Sequence, residues 1–236
     1  MTRVLMLSLA ILAALTACCA DTPRLTVDGK PFFVIGMYDC PGGDDLSDAN
    51  MKEMAAAGIN TLHVPLRAGP GRNGSPKKDI SVSDLDRAHK LGLKVIVALN
   101  SVPPWTAEGA KKNLGSQPEQ FVEGSELHRR MVALKDHPAL LMWETMDEPG
   151  GCREMDGRET WPSLETLTAC YRFVKATDPT HPVWCNEVAW FWCNKKLPLE
   201  RFQAWAEICD VYSQDDYPVG GPSYPYCPMF VIGDDL

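Results

Sequence analysis

The chain has 236 residues, 45% hydrophobic and 23% charged, which fits one globular domain with a sizeable core. Its formal net charge of −8 and its lack of a basic stripe argue against nucleic acid as the main partner, because a phosphate backbone needs a basic footprint. The nearest glycine-rich candidate, Gly69-Pro70-Gly71-Arg72-Asn73-Gly74, lacks the Gly-Lys-Ser/Thr ending of a phosphate-cradling loop and reads as an ordinary loop.

Met1-Thr2-Arg3 precedes an apolar run from Val4 to Leu15, the pattern of a secretory signal too short to span a bilayer as a helix. The run ends in Leu15-Thr16-Ala17-Cys18, which resembles the bacterial lipobox, where the Cys becomes the lipidated first residue of the mature protein. The expectation is therefore a signal over residues 1–18, with Cys18 carrying the anchor, and a mature domain over residues 19–236. The place implied is the bacterial cell envelope, lipid-anchored or secreted, with the membrane touched only through that anchor. Of nine cysteines, Cys19, Cys40, Cys152, Cys170, Cys185, Cys193, Cys209 and Cys227 remain beyond Cys18. An exported protein can pair some of these, and others fit plain buried thiols. No CxxC pair or zinc-finger spacing is present, so no metal is expected.

After a short tether, Leu25 to Pro31 reads as a strand with a turn, and Phe32 to Tyr38 as a buried strand. Asp44 to Ala57 is predicted helical, stopped by Gly58, and Ile59 to Pro65 is the next strand. Residues 67–78 are loop, Ser83 caps a helix to Leu91 stopped by Gly92, and Leu93 to Leu99 is a strand. A long loop with Pro103, Pro104 and Trp105 leads to a helix around Pro118 to Lys135, then to a strand over Ala139 to Met146. Thr160 or Ser163 starts a helix to about Ala176. Val183 to Val188 is a strand, Leu199 to Ala206 a helix, and Cys209 to Gln214 the sixth strand.

Alternation of this kind means parallel strands with crossover helices. A doubly wound sheet would show a nucleotide fingerprint after its first strand, and none is there. A (β/α)₈ barrel keeps its active site at the carboxyl ends of its strands. Tyr38, Asp39, His63, Asn100, Asp147, Glu148, Asn186, Glu187, Asp216 and Tyr217 collect at those ends, which favours the barrel. Such a barrel needs eight strands and typically about 250 residues. The expectation is an α/β fold, an incomplete TIM barrel with about six of eight βα units and the remainder past Leu236.

The fourth strand runs into three carboxylates, Glu144, Asp147 and Glu148, followed by Pro149. Proline disfavours a helical conformation before it, so Glu148 is expected extended at the strand end. Burial and a like charge beside it would raise its pKa, as a general acid requires. The competing reading is that Asp147 and Glu148 merely favour a helix N-terminus.

Here the chain resembles the retaining (β/α)₈ glycoside hydrolases, the group containing cellulases, β-mannanases and β-galactosidases, over most of residues 24–220. Ala57 to Pro65, Gly92 to Val97 and His137 to Pro149 carry the likeness to its second, third and fourth strands. The fourth is the most specific, because Glu144, Glu148 and Pro149 match the family's "Glu, three residues, Glu-Pro" arrangement. The resemblance implies Glu148 as general acid/base. It puts Asp147 where the family has the Asn that bonds the sugar 2-hydroxyl, a departure, since an ionised Asp accepts but cannot donate. It places His63, Asn100, Asp216 and Tyr217 at strand ends that line the sugar site, though His63 also fits a core histidine and Asp216 a turn cap. Trp190, with Trp105, Trp192, Tyr224 and Tyr226, could stack on sugar faces or simply pack. For Glu144 a structural hydrogen-bonding role is expected.

The implied reaction is hydrolysis of O-glycosidic bonds of poly- or oligosaccharides with retention, without a cofactor. The nucleophile would belong to a seventh strand beyond this chain, so residues 19–236 alone are expected to be inactive. The alternative is a non-catalytic carbohydrate-binding surface lipoprotein on a degenerate barrel. A metal-dependent barrel hydrolase lacks a ligand cluster among five histidines.

Overall fold

The computed structural model describes residues 25–37, 46–67, 79–100, 113–149, 162–188 and 199–215. The chain divides into two compact units, Met1–Ile35 and Gly36–Leu236. In the first, β1 (Thr26–Val27) and β2 (Lys30–Pro31) form an antiparallel hairpin. Asp28 and Gly29 make its turn with φ of 52° and 72°. Two consecutive positive φ values are what the tight hairpin turn requires, and Asp-Gly tolerates them. The strand predicted from Phe32 shrinks to β3 (Gly36–Met37), and residues 32–35 carry no regular structure. An apolar run becomes strand only where a neighbour supplies backbone partners, and here those are Thr61 and Leu62.

The second unit continues with α1 (Asp48–Ala56), β4 (Thr61–Pro65), α2 (Val82–Lys90) and β5 (Lys94–Ala98). Then come α3 (Glu126–Leu134), β6 (Leu140–Asp147), α4 (Leu164–Thr177), β7 (Val183–Val188), α5 (Leu199–Ala206) and β8 (Val211–Asp215). The helix predicted from Pro118 is two 3₁₀ turns, Leu114–Ser116 and Pro118–Gln120, before α3. Side-chain caps set the helix starts: Ser47, Ser81, Ser125 and Ser163 each accept a backbone N–H from the first turn. Gly58 and Gly92 follow α1 and α2 at φ of 87° and 73°, conformations in which any side chain is strained.

β3 to β8 form one sheet in chain order, every neighbouring pair parallel. A doubly wound sheet reverses its order at a switch point, and this one does not. One face carries Leu62, Val64, Leu66, Val95, Val97, Leu99, Trp143 and Val183, packed with Met51, Leu85, Met131 and Val174 from α1 to α4. Among the described residues, α1 to α4 pack on that face. A smaller cluster, Met146, Leu167, Trp205 and Ile208, continues it under α4 and α5.

The other face follows from register. Ile96 and Ala98 lie beside Met142 and Glu144, and Glu144 lies beside Trp184. Between Glu144 and Asp147 the register shifts, so that Asp147 pairs with Asn186. Three steps on β6 thus match two on β7. This β-bulge turns both Glu144 and Asp147 to the same face, which odd spacing on a regular strand forbids.

Candidate functional site

The other face gathers polar side chains toward the strands' carboxyl ends. From β4, His63 Nε2 lies 2.6 Å from Glu144 Oε2 on β6. Glu144 is 1% exposed and the His63 side chain 12%. The His63 ring also meets Trp184 of β7 edge-on, with centroids 5.9 Å apart. Among the described residues, Glu144 Oε1 has no hydrogen-bond partner. A buried carboxylate with one bonded oxygen is held in place by its neighbours at a cost in desolvation.

One strand step further out, Asn186 joins two successive residues. Its Nδ2 donates to Asp147 Oδ1 at 2.8 Å, and its backbone oxygen accepts from Glu148 N–H at 2.7 Å. Behind it, Trp184 Nε1 donates to Ser213 Oγ at 2.8 Å, and Ser213 Oγ donates to Asn186 Oδ1 at 2.7 Å. Four side chains from β6, β7 and β8 thus form one hydrogen-bonded row. Asp147 and Glu148 are both half-buried. Glu148 is not extended, as its place before Pro149 predicts, but has φ of 46°. Pro149 disfavours the right-handed helical region for Glu148, and the chain leaves β6 through the left-handed one.

Asn100 follows β5 and is 3% exposed. Its Nδ2 donates to Thr145 O at 2.7 Å, and its Oδ1 accepts from Ser116 Oγ at 2.9 Å. Gly115 lies against it: a Cβ there would stand 2.8 Å from Asn100 Nδ2. Asn100 thus ties β5 to β6 and to the 3₁₀ turn at Leu114–Ser116. Cys18, Trp190, Asp216 and Tyr217 lie outside the described residues. The structure brings together His63, Asp147 and Glu148 of the expected site, and adds Glu144, Trp184, Asn186 and Ser213. Trp184 and Ser213 were missed; Trp184 precedes Asn186 by two residues on one strand, a period-two signal that could have named it.

On the opposite face, burial first, and the charge of Glu187 after it, push the Cys185 thiol and the Tyr212 hydroxyl well up. Cys185 is therefore a neutral thiol, unsuited to act as a nucleophile. Among the described residues no group of three His, Cys, Asp or Glu side chains is placed to hold a metal ion. No described helix is long and apolar enough to cross a membrane.

No family model matches the chain. A rice (Oryza sativa subsp. japonica) protein, provisionally named mannan endo-1,4-beta-mannosidase 9, is 28% identical over 210 residues, covering 70% of this chain and 49% of the rice protein. The chain thus spans about half the length of that curated relative. Among solved structures, the endo-1,4-beta-mannanase from the earthworm Eisenia fetida aligns over 81% of this chain and 70% of its own, with a TM-score of 0.52 and 17% identity. The fold is an incomplete (β/α)₈ barrel. A beta-glucuronidase from Parabacteroides merdae also aligns, over 80% of this chain and 21% of its own, with a TM-score of 0.46 and 15% identity. Within the barrel, β3 to β8 are six consecutive strands, their helices form the outer layer, and the row from His63 to Ser213 faces the inside.

Proposed function

We propose that the protein is a glycoside hydrolase that cleaves O-glycosidic bonds with retention, Glu148 acting as general acid and then general base. The observation that carries this is the placement of Glu148. It is half-buried, directly past the carboxyl end of β6, beside a second carboxylate, on the end of the barrel where active sites form. In the first step Glu148 gives its proton to the leaving oxygen while a second carboxylate, about 5–5.5 Å away, attacks the anomeric carbon. In the second, Glu148 takes a proton from water, which displaces that carboxylate. We assign the nucleophile to no described residue; in the resembled family it belongs to a seventh strand. Asp147 and His63 line the sugar site in this reading, with Asp216, Tyr217 and Trp190 contributed by the loops. Asn100 is reassigned to holding β5 against β6, since both ends of its amide are already bonded.

The name of the rice relative makes β-1,4-mannan the first substrate to test. In the protein expressed from its whole reading frame, Glu148→Gln should lower mannan hydrolysis by about 10²–10⁴-fold with oligosaccharide binding kept. Unchanged hydrolysis would remove Glu148 from the chemistry. Binding with no hydrolysis in either protein would establish the second reading, a non-catalytic carbohydrate-binding protein, which the inward-bonded Asn100 favours.

We also propose export through residues 1–18 and lipid attachment at Cys18. Labelled palmitate should enter the protein made in a bacterium and be lost in Cys18→Ala. Equal labelling of both sinks the anchor.

A further inference from the structure

The turn that leads from α3 into β6 is closed by an imidazole. Ala139 is fully buried, and its backbone N–H donates to His137 Nδ1 at 3.0 Å. The ring takes the place of an Asn or Asp side chain that accepts from the N–H two residues on. Among the described residues that N–H forms no other hydrogen bond. A backbone N–H can only donate, so Nδ1 carries no proton. The ring is therefore neutral, and its one proton sits on Nε2, which donates to Asp86 Oδ1 of α2 at 3.2 Å. The remaining bonds of the turn do not use the ring: His137 N–H donates to Leu134 O and Leu140 N–H to His137 O, each at 3.0 Å.

We propose that His137 is a proton-operated latch on the entry to β6: neutral, it holds the buried Ala139 N–H; protonated, it releases that N–H and keeps Asp86. A second proton has one place to go, Nδ1, and there it meets the Ala139 N–H head on. The N–H loses its acceptor, and a buried donor without one is costly. On the other side the bond to Asp86 becomes charge-assisted. The Asp86 side chain is 58% exposed and that of His137 11%, so the gain lies toward solvent and the loss toward the core. Histidine is the side chain whose charge changes between pH 5 and 8. The titratable groups around it come from three elements. α2 supplies Asp86 and His89, whose ring meets that of His137 edge-on with centroids 6.2 Å apart. β5 supplies Lys94, bonded to Pro138 O at 2.6 Å, and Lys135 and Asp136, paired with each other, follow α3. Because β6 carries Glu144, Asp147 and Glu148, the latch ties the footing of that strand to pH. It stands apart from the glycosidase reading.

The test is an NMR titration of the protein expressed from its whole reading frame, labelled with nitrogen-15 at histidine and alanine. At about pH 7.5 the His137 imidazole should show a bare Nδ1 and a protonated Nε2. The opposite tautomer, or a mixture of the two, overturns the proposal. As His137 takes its second proton, protection of the Ala139 amide against hydrogen exchange should fall about tenfold or more, while that of Ala88, inside α2, holds. His137→Asn supplies an acceptor that does not titrate, and protection of Ala139 should then stay level with pH. Protection that does not change when the ring is protonated overturns the proposal, as does a fall that Ala88 shares or that persists in His137→Asn. If His137→Asn does not fold, the tautomer and the comparison of Ala139 with Ala88 in the unaltered protein decide alone. The measurement needs no turnover, so a failed glycosidase reading leaves its result standing.

Discussion

Asp178, 2% exposed at the end of α4, ties a strand to the loop that precedes its neighbour. It accepts from Trp143 Nε1 at 2.8 Å, from Thr180 Oγ1 at 2.7 Å, and from His181 N–H and Nδ1 at 3.2 and 2.8 Å. Burial acts to raise its pKa, but the donors of Trp143, Thr180 and His181 outweigh it and hold the carboxyl at about 2. The folded value lies below the unfolded one, so the stabilisation is present above pH ~4 and is lost as pH falls toward 2. It amounts to about 2 kcal/mol. Urea unfolding at pH 6 and pH 2.5 should show that loss in the unaltered protein and a smaller one in Asp178→Asn; equal losses would rule it out. The thiols give a second prediction at this scale. Burial pushes Cys170 up to about 12, and Cys170 and Cys185 are free and fully buried. Both should ignore a thiol reagent in the native protein and react on unfolding; prompt native labelling would contradict their burial. Of the site, Asp147 and Glu148 were legible because their chemistry is local and a Pro follows. Asn186 was legible as a strand-end residue, but its row with Ser213 and Trp184 was not, because a row across three strands exists only once the register between them is known.

At the scale of elements, α2 shows how close alternatives are decided. Ser81 and Ser83 both precede its apolar residues, and Ser83 was the expected cap. The structure uses Ser81, because Asp84 sits three residues after it and bonds back to the Ser81 N–H at 2.9 Å. That reciprocal pair satisfies two backbone donors, whereas Ser83 lies exposed inside the helix. Ser81→Ala should cost about 1 kcal/mol in chemical denaturation and Ser83→Ala less than about 0.5 kcal/mol. Reversed values would restore the expected cap. The helix over Leu199–Ala206 and the strand over Val183–Val188 match expectation at both ends; prolines stand directly before both, Pro182 and Pro198. The bulge in β6 left no mark in the residue pattern. Every side chain from Ala139 to Met146 is buried, so no alternation between wet and dry faces reveals where the register slips.

For the molecule as a whole, chain-order pairing makes each strand of the barrel depend on the next. The main core joins β4 to β7 with α1 to α4, while α5 contributes to a cluster of four buried residues, Met146, Leu167, Trp205 and Ile208. Hydrogen exchange should therefore be slowest in β4, β5 and β6 and faster in α5. Uniform protection through α5 would mean that the two clusters open together. The parallel order was legible in the alternation of elements. The helix-covered and polar faces followed only after pairing assigned each strand residue to a side.

Asn100 and Ser116 meet at 2.9 Å, and Gly115 presses against the same amide. The chain therefore returns, by residue 113–116, to the spot it left at residue 100. Whatever stretch is inserted between those points starts and finishes at a closed clasp that belongs to the scaffold. Asn100, Gly115 and Ser116 hold that clasp with their own contacts, so a change in the length of the sequence between residues 100 and 113 should leave β5, β6 and the 3₁₀ turn joined.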